Sequence, residues 1–325
     1  MNLNNKVIFL AGSTGAAGSS IIKHLLERYP AVHIRAVCHK TKPFIRHKQV
    51  EYVWGDLRLR DECRRLVTGC DCAIMAAANT AGAVMLKSQP CRQINDNVTM
   101  NAQMLEAFHS GNVKRVVYIG SASLYQECEV NISEDKLDLN KDPSMAHFGI
   151  GWVVRFIEKL CRFWHKQYGI EIVIVRAANI FGPFDKFDPE TSHFIPALIR
   201  KGVDKMNPFE VWGSPDVTRD VVYSEDFARA IVMLLDNDKI KFDTFNIGSA
   251  VRTTVGDIVN WVLKYAPHKP SAIEYRPDKP TTIKFRALNC TKARELLGWE
   301  PKYTIEDGVR KTTKWWIENK DWWRK

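Results

Sequence analysis

Three glycines, Gly12, Gly15 and Gly18, stand three residues apart in the stretch KVIFLAGSTGAAGSS. An apolar run, 7–10, precedes them and a helix-like segment, 21–27, follows. A buried strand that turns straight into a helix needs small residues at the turn. Gly12 can take the tight bend, Gly15 lets a phosphate approach the backbone, and Gly18 lets helix and strand pack closely. The helix N-terminus adds free N–H groups and a partial positive charge. The chemistry this spacing suggests is the binding of a dinucleotide diphosphate by Gly12, Ser13, Thr14, Gly15, Ala16, Ala17 and Gly18.

Other reactive residues are less ordered. The eight cysteines (38, 63, 70, 72, 91, 128, 161 and 290) form no CxxC pair, and no histidines cluster at zinc spacing. Free thiols and no metal site are expected. An acidic residue closing the second strand would hold the adenosine ribose and favour NAD. Here that strand ends Ala36-Val37-Cys38-His39-Lys40, with no carboxylate and with two groups that can receive a 2′-phosphate. NADP(H) is therefore favoured and NAD(H) remains open, as does a solvated loop at His39 and Lys40. In the second half, Arg176, Arg219, Lys201 and Arg286 can supply the cationic forks that suit a second diphosphate, although about half of such groups serve surface ion pairs. Arg219 is preferred because it sits beside Asp220 in a strand-like run toward Tyr223.

The elements that must position these groups alternate. Strands are expected at 7–10, 33–37, 72–76, 115–120 and 170–175, and helices at 19–29, 61–67, 96–110 and 151–168. Continuous apolar strands between amphipathic helices imply a parallel sheet covered on both faces, with its ligand crevice at the C-terminal strand ends. The fold expected is α/β, a Rossmann-type doubly wound parallel sheet with a smaller C-terminal α/β substrate-binding lobe. Its dinucleotide-binding domain would be 1–178. After Asn179 the pattern loosens around Pro183, Pro189, Pro196, Pro208 and Pro215, with helices at 224–235, 255–264, 291–297 and 305–318. Residues 179–325 read mainly as the lobe, some segments returning to the first domain. The tail, with Trp315, Trp316, Trp322 and Trp323, reads as a closing amphipathic helix.

Composition bounds the rest. The chain has 325 residues, 45% of them hydrophobic, which fits a folded core and not a disordered chain. No apolar run approaches the roughly 18 residues of a membrane span. The polar start MNLNNK shows no signal peptide, so a cytoplasmic protein without a membrane partner is expected. The net charge of +10 comes from scattered basic residues, which suits an anionic nucleotide ligand better than nucleic acid.

With these motifs in order, the chain resembles the extended short-chain dehydrogenase/reductase (NAD-dependent epimerase/dehydratase) family. The likeness runs through Asp56-Leu57, Ala76-Ala77-Ala78, Ser121-Ala-Ser123-Leu-Tyr125, Arg176-x-x-Asn179-Ile-Phe-Gly182-Pro183, Arg219-Asp220, Tyr223-x-x-Asp226 and Asn246-Ile-Gly248. The stretch from Phe181 through His193-Phe-Ile-Pro-Ala-Leu-Ile, with Val211-Trp212-Gly213 and Arg219, resembles the GDP-fucose synthase branch. That branch epimerises a 4-keto-6-deoxy sugar on GDP and reduces the ketone with NADPH. The resemblance implies a nucleotide-sugar ligand. It implies cofactor contacts at Asp56, Leu57, Ala76, Ala77, Ala78 and Asn97, a catalytic serine at Ser121, and an acid at His193. Ser123 stands where the branch has its epimerisation cysteine, and substrate contacts are implied at Asn179, His193, Trp212 and Arg219.

The family's reduction uses a Tyr and a Lys four residues on, which share one helix face. In this chain the best register puts Ile150 and Val154 there; a register two residues earlier gives Phe148 and Trp152. Neither supplies a phenol or an amine. Tyr125, His147, Arg155 and His193 are the neighbours that could compensate. Two readings follow: a nucleotide-sugar enzyme whose chemistry is altered around His193, or a catalytically silent relative acting as a regulatory or heterodimer partner. The family's dimers would use helices 96–110 and 151–168, where Val153, Phe156, Ile157, Leu160 and Trp164 offer apolar surface or serve the core.

Overall fold

The computed structural model describes residues 1–80, 90–279 and 287–323. Its centre is a sheet of seven strands: β1 (Val7–Ala11), β2 (His33–Cys38), β3 (Val50–Trp54), β4 (Cys72–Met75), β5 (Arg115–Ser121), β6 (Glu171–Ala177) and β11 (Phe242–Ile247). They run in the order β3-β2-β1-β4-β5-β6-β11, every pairing parallel. The order reverses direction between β1 and β4, which opens a crevice above their C-terminal ends.

The strands are apolar on both faces because both faces are covered. On one face, Ile8 and Leu10 meet Ile21, Ile22 and Leu25 of α1 (Ala16–Arg28) and Phe227, Ile231 and Leu235 of α6 (Ser224–Asp236). On the other, Phe9 and Ala73 meet Leu66 of α2 (Arg60–Val67), Met104 and Phe108 of α3 (Pro90–Ser110), and Ile157 and Cys161 of α4 (Phe148–Tyr168). The helix α4 stops at Gly169, whose φ of 71° is the left-handed value a helix terminus favours and a side chain disfavours.

Two strands go beyond the sequence expectation. Edge strand β3 is only half-buried, so its apolar signal is weak. Strand β11 follows the lobe in sequence and then pairs with β6 in full register, from Phe242 with Ile172 to Ile247 with Ala177. Its Asp243 and Thr244 break the apolar run, because this strand too lies at an edge. The chain therefore leaves the sheet after β6 and comes back through α6 and β11.

The remaining segments build a second core over the crevice. Phe181 of β7 (Asn179–Phe181), Ile195 and Leu198 of α5 (Phe194–Val203), and Phe209 and Val211 of β8 (Phe209–Trp212) pack with α7 (Val255–Tyr265) and α8 (Ile305–Asn319). A two-residue strand, β9 (Thr218–Arg219), and β10 (Val221–Tyr223) lead into α6. Thr254 and Asp257 form a capping box that starts α7. The closing helix is present, and Trp316 stacks on Phe187 at 4.1 Å. The tail residue Trp323 lies past its end, against Phe44 at 4.0 Å, and donates its indole N–H to the Asp185 carbonyl. No described helix is long and apolar enough to cross a membrane.

Candidate functional site

A cleft of about 920 Å³ runs from the β1–α1 turn to the second core. At the turn, Gly12 has φ 77°, and a Cβ there would lie 2.5 Å from the Ala76 carbonyl oxygen. A Cβ on Gly18 would come within 2.1 Å of the Gly12 oxygen. Both glycines are fixed by close backbone approach. Gly15 differs: its Cβ would meet only the Gly12 oxygen, at 3.8 Å, so the space beside it opens to the cleft. Thr14, Ala16 and Ala17 line the same wall. Ser13 corrects the sequence expectation, because it is buried and its Oγ donates to the Val37 carbonyl at 2.7 Å. It braces β2 against the turn.

Across the cleft stand Ala76, Ala77 and Ala78. Asn97 fixes the loop after them. Its Oδ1 accepts from Asn79 N at 2.9 Å, and its Nδ2 donates to the Asn79 and Gln93 carbonyls. His39, Lys40, Asp56 and Leu57 close the end near β2. Arg58, which sequence reasoning passed over, lines this end as well and holds Asp56 at 2.6 Å and Asp96 at 3.1 Å. Its hydrogen bonds pull Asp56 down to about 2. The signal available was its place two residues past Asp56.

At the other end, β5 and α4 meet. The Ser121 Oγ accepts from Ser123 N at 3.1 Å, capping a short turn. Ser123 is a buried residue of the cleft lining, and its Oγ has no hydrogen-bond partner among the described residues. Ile150, Val153 and Val154 face the cleft, whereas Phe148 and Trp152 do not line it. Trp152 instead donates to Asp142 Oδ1 at 3.0 Å. His147, just before α4, is a lining residue too.

The second core contributes the far wall. His193 caps α5 and is half-buried in the cleft. Burial, with a smaller contribution from the Lys186 charge, pushes its imidazole down to about 4. Lys186 reaches over the cleft to the Thr80 carbonyl at 2.9 Å. This lysine lies within the stretch 181–193 that carries the resemblance, but sequence reasoning assigned it no role. Lys201 donates to the Glu210 carbonyl at 2.8 Å, and burial lowers its pKa. The Trp212 indole donates to Glu210 Oε1 at 2.7 Å. Arg219 donates to the Thr218 carbonyl, and burial lowers it to about 10. Asn179, Lys201, Trp212 and Arg219 all line the cleft.

Two expected neighbours, Tyr125 and Arg155, and one candidate diphosphate cation, Arg176, are elsewhere. Arg176 is buried behind α4, paired with Glu158 through Nε at 2.9 Å and Nη2 at 2.8 Å, so it is spent in the core and does not face the cleft. The Tyr125 hydroxyl lies between Arg176 and Asn246 and is equally buried. Arg155 donates to the Leu124 and Lys141 carbonyls, on a different face of α4 from Ile150. None of the three lines the cleft, so Tyr125 and Arg155 cannot stand in for the Tyr or the Lys there, and Arg176 is not placed to hold a diphosphate in it. Arg286 lies outside the described residues. Next to Arg219, Asp220 is a tether: it accepts from Ser249 N, Ser249 Oγ and Leu288 N, and burial raises it to about 6. Among the described residues no three His, Cys, Asp or Glu groups are placed to hold a metal.

A parallel sheet with a glycine turn at its switch point and a cap over its C-terminal edge defines a Rossmann-type α/β protein of the extended short-chain dehydrogenase/reductase kind. The chain belongs to the NAD dependent epimerase/dehydratase family, whose model matches residues 8–248. It is 28% identical over 324 residues to the GDP-L-fucose synthase of Sinorhizobium fredii, covering 98% of this chain and 97% of that protein. It is 27% identical over 314 residues to GDP-mannose 3,5-epimerase 1 of Oryza sativa subsp. japonica, covering 95% of this chain and 81% of that one. Among solved structures, a GDP-L-fucose synthetase from Naegleria fowleri superposes with a TM-score of 0.80 at 21% identity, over 99% of this chain and 96% of the other. The UDP-glucose 4-epimerase of Thermotoga maritima with UDP-glucose gives 0.84 at 20% identity, over 96% and 99%.

Proposed function

We propose that the protein binds a nicotinamide dinucleotide, NADP(H) in preference to NAD(H), together with a GDP-linked 4-keto-6-deoxy sugar, and that its ketoreductase chemistry is impaired. One observation carries the second half: the cleft-facing side of α4 presents Ile150 and Val154, two aliphatic side chains one turn apart. Neither can hold or pass a proton. Loss of one positioned acid–base group costs roughly 10²- to 10⁴-fold in rate.

The cleft fits both ligands. The open space beside Gly15 suits a diphosphate at the N-terminus of α1, and the cationic or protonatable groups of His39, Lys40 and Arg58 at the same end of the cleft support binding of an adenosine 2′-phosphate. Arg219, Lys201 and Trp212 suit the second diphosphate and its base. The dinucleotide supplies hydride transfer when bound; the chain's own groups are left with proton chemistry.

Epimerisation beside a ketone needs no hydride. A neutral His193 takes the proton from the carbon next to the keto group, and the electron pair moves to the keto oxygen. Ser121 can donate a hydrogen bond to that oxygen. The Ser123 hydroxyl, a weaker carrier than a cysteine thiol, donates a second proton to the opposite face of the carbon as the electron pair returns from the keto oxygen; water then reprotonates the Ser123 alkoxide and takes the proton held on His193. Burial of His193 supports the base role, because an imidazole held down at about 4 is neutral at pH 7.

A second reading is a silent family member that pairs with another chain or with its own copy. The observation favouring it is a row of exposed apolar side chains on α4, Trp152, Phe156 and Phe163, with Phe148 at its start. Incubating the protein with GDP-4-keto-6-deoxymannose in heavy water separates the two. Deuterium at C3 or C5, lost in His193→Ala, supports epimerisation. Absence of deuterium with the sugar still bound leaves the silent reading.

A further inference from the structure

A second, smaller concavity lies behind α4, on a face turned away from the cleft. Its volume is about 200 Å³, and the side chains bordering it include Arg155, Lys159 and Arg162 of α4 and Arg176 of β6. The three on α4 are spaced i, i+4 and i+7, so they form one stripe. Like charges at this spacing repel and destabilise a helix unless something compensates them.

The carboxylates of Asp142, Asp138 and Glu158 act on Arg155 through space, without a contact ion pair. Among the described residues none of Arg155, Lys159 and Arg162 makes an ion pair. Two carboxylates also border the concavity, Glu134 and Glu158. Glu158 gives both oxygens to Arg176, at 2.9 and 2.8 Å. Glu134 accepts from Asn246 N at 2.7 Å, and burial raises its pKa. Four cations thus face two carboxylates that are already engaged.

Arg155 makes the imbalance sharper. It is 2% exposed. Its Nε and Nη1 donate to the Leu124 and Lys141 carbonyls, and the Trp152 ring covers its guanidinium at 4.6 Å. Its Nη2 is buried with no hydrogen-bond partner among the described residues. A buried cationic N–H left without an acceptor is costly, and such groups are uncommon in native structures.

We propose that this concavity binds a small oxyanion, a phosphate group, held by the stripe of Arg155, Lys159 and Arg162. Guanidinium forks match phosphate oxygens in geometry and charge. The space is smaller than the roughly 300 Å³ at which organic-ligand pockets begin. It accepts the phosphate and leaves the body of any larger molecule outside. The source can be free phosphate or the terminal phosphate of a small metabolite.

The test is equilibrium dialysis of the full chain against inorganic phosphate, with chloride holding the ionic strength constant. Lys159 and Arg162 are exposed, so the double variant Lys159→Ala/Arg162→Ala should keep its fold, checked by a thermal midpoint no lower than that of the wild type. We expect saturable binding of phosphate, weakened at least tenfold in that variant and in Arg155→Met. Arg219→Met, in the cleft, should bind phosphate at the stripe as the wild type does. Glycerol 3-phosphate binding as tightly as phosphate assigns a terminal phosphate of either source, and phosphate alone assigns the free ion. Absence of saturable binding overturns the proposal. So does binding lost in Arg219→Met and kept in the double variant, which belongs to the cleft. Binding that none of the variants alters is an adventitious ion only and overturns it as well.

Discussion

In the function proposed above, Ile150 and Val154 stand at the Tyr and Lys positions of the family's reduction. Both face the cleft from one side of α4, so a phenol and an amine introduced there would face it too. The double variant Ile150→Tyr/Val154→Lys should raise NADPH-dependent reduction of a GDP-4-keto-6-deoxy sugar by about 10²- to 10⁴-fold. An unchanged rate with both ligands bound would show that the loss lies elsewhere. His193 makes a separate prediction about stability. Its folded value, about 4, lies below the ordinary 6.5. The native state is therefore favoured while the imidazole is neutral in both states, above pH 6.5. That advantage falls away as pH drops through about 4. Asp220, raised from 3.8 to about 6, works in the opposite sense: its contribution is full below 3.8 and is lost as pH rises through about 6. The difference between wild type and His193→Gln removes the Asp220 contribution. Denaturant melts from pH 7 to pH 4 should show the wild type losing more stability than the variant.

Among the elements, the β1–α1 turn and α4 do different work. The turn is a close-packed backbone contact before it is a ligand site. Gly18→Ala would press a methyl group into the Gly12 carbonyl, at 2.1 Å in the unrelaxed geometry. We expect a loss of about 1–3 kcal/mol in urea unfolding. Calorimetry should also show weaker dinucleotide binding, because the turn must move. A variant that binds and unfolds as the wild type does would mean that the turn is softer than its packing indicates. The helix α4 carries three separate surfaces: Ile150, Val153 and Val154 toward the cleft, an exposed aromatic row, and the basic stripe. Helical periodicity alone made the first of these legible, since residues four apart share a face. Arg155 shows the limit of that reading. One position from Val154 it turns about 100° away, and the carbonyls of Leu124 and Lys141 capture it.

For the whole molecule, the cofactor preference is the property that several segments decide together. His39 and Lys40 follow β2, Arg58 lies beyond β3, and Asp96 at α3 shares the Arg58 guanidinium. The arginine is held by two carboxylates, so a 2′-phosphate must compete for it. Calorimetry should still give tighter binding for NADPH than for NADH, by about tenfold for one added charge-assisted contact, or 1.4 kcal/mol. Equal affinities would remove the argument from His39 and Lys40.

Much of this was determined by the chain alone. The glycine spacing, the alternation of apolar runs and amphipathic helices, and the order of short motifs fix the doubly wound fold, because each depends on neighbours within a turn or a strand. The same local rules located Ile150 and Val154. Tertiary structure decided the rest. Arg176 and Tyr125 sit in motifs that suggested ligand contacts, yet Glu158 and Asn246, distant in sequence, draw them into the core. Lys186 enters the cleft because the loop before α5 folds over Thr80, 106 residues away. Spacing along a chain settles which side chains share a face; only the packing of distant elements settles what that face meets.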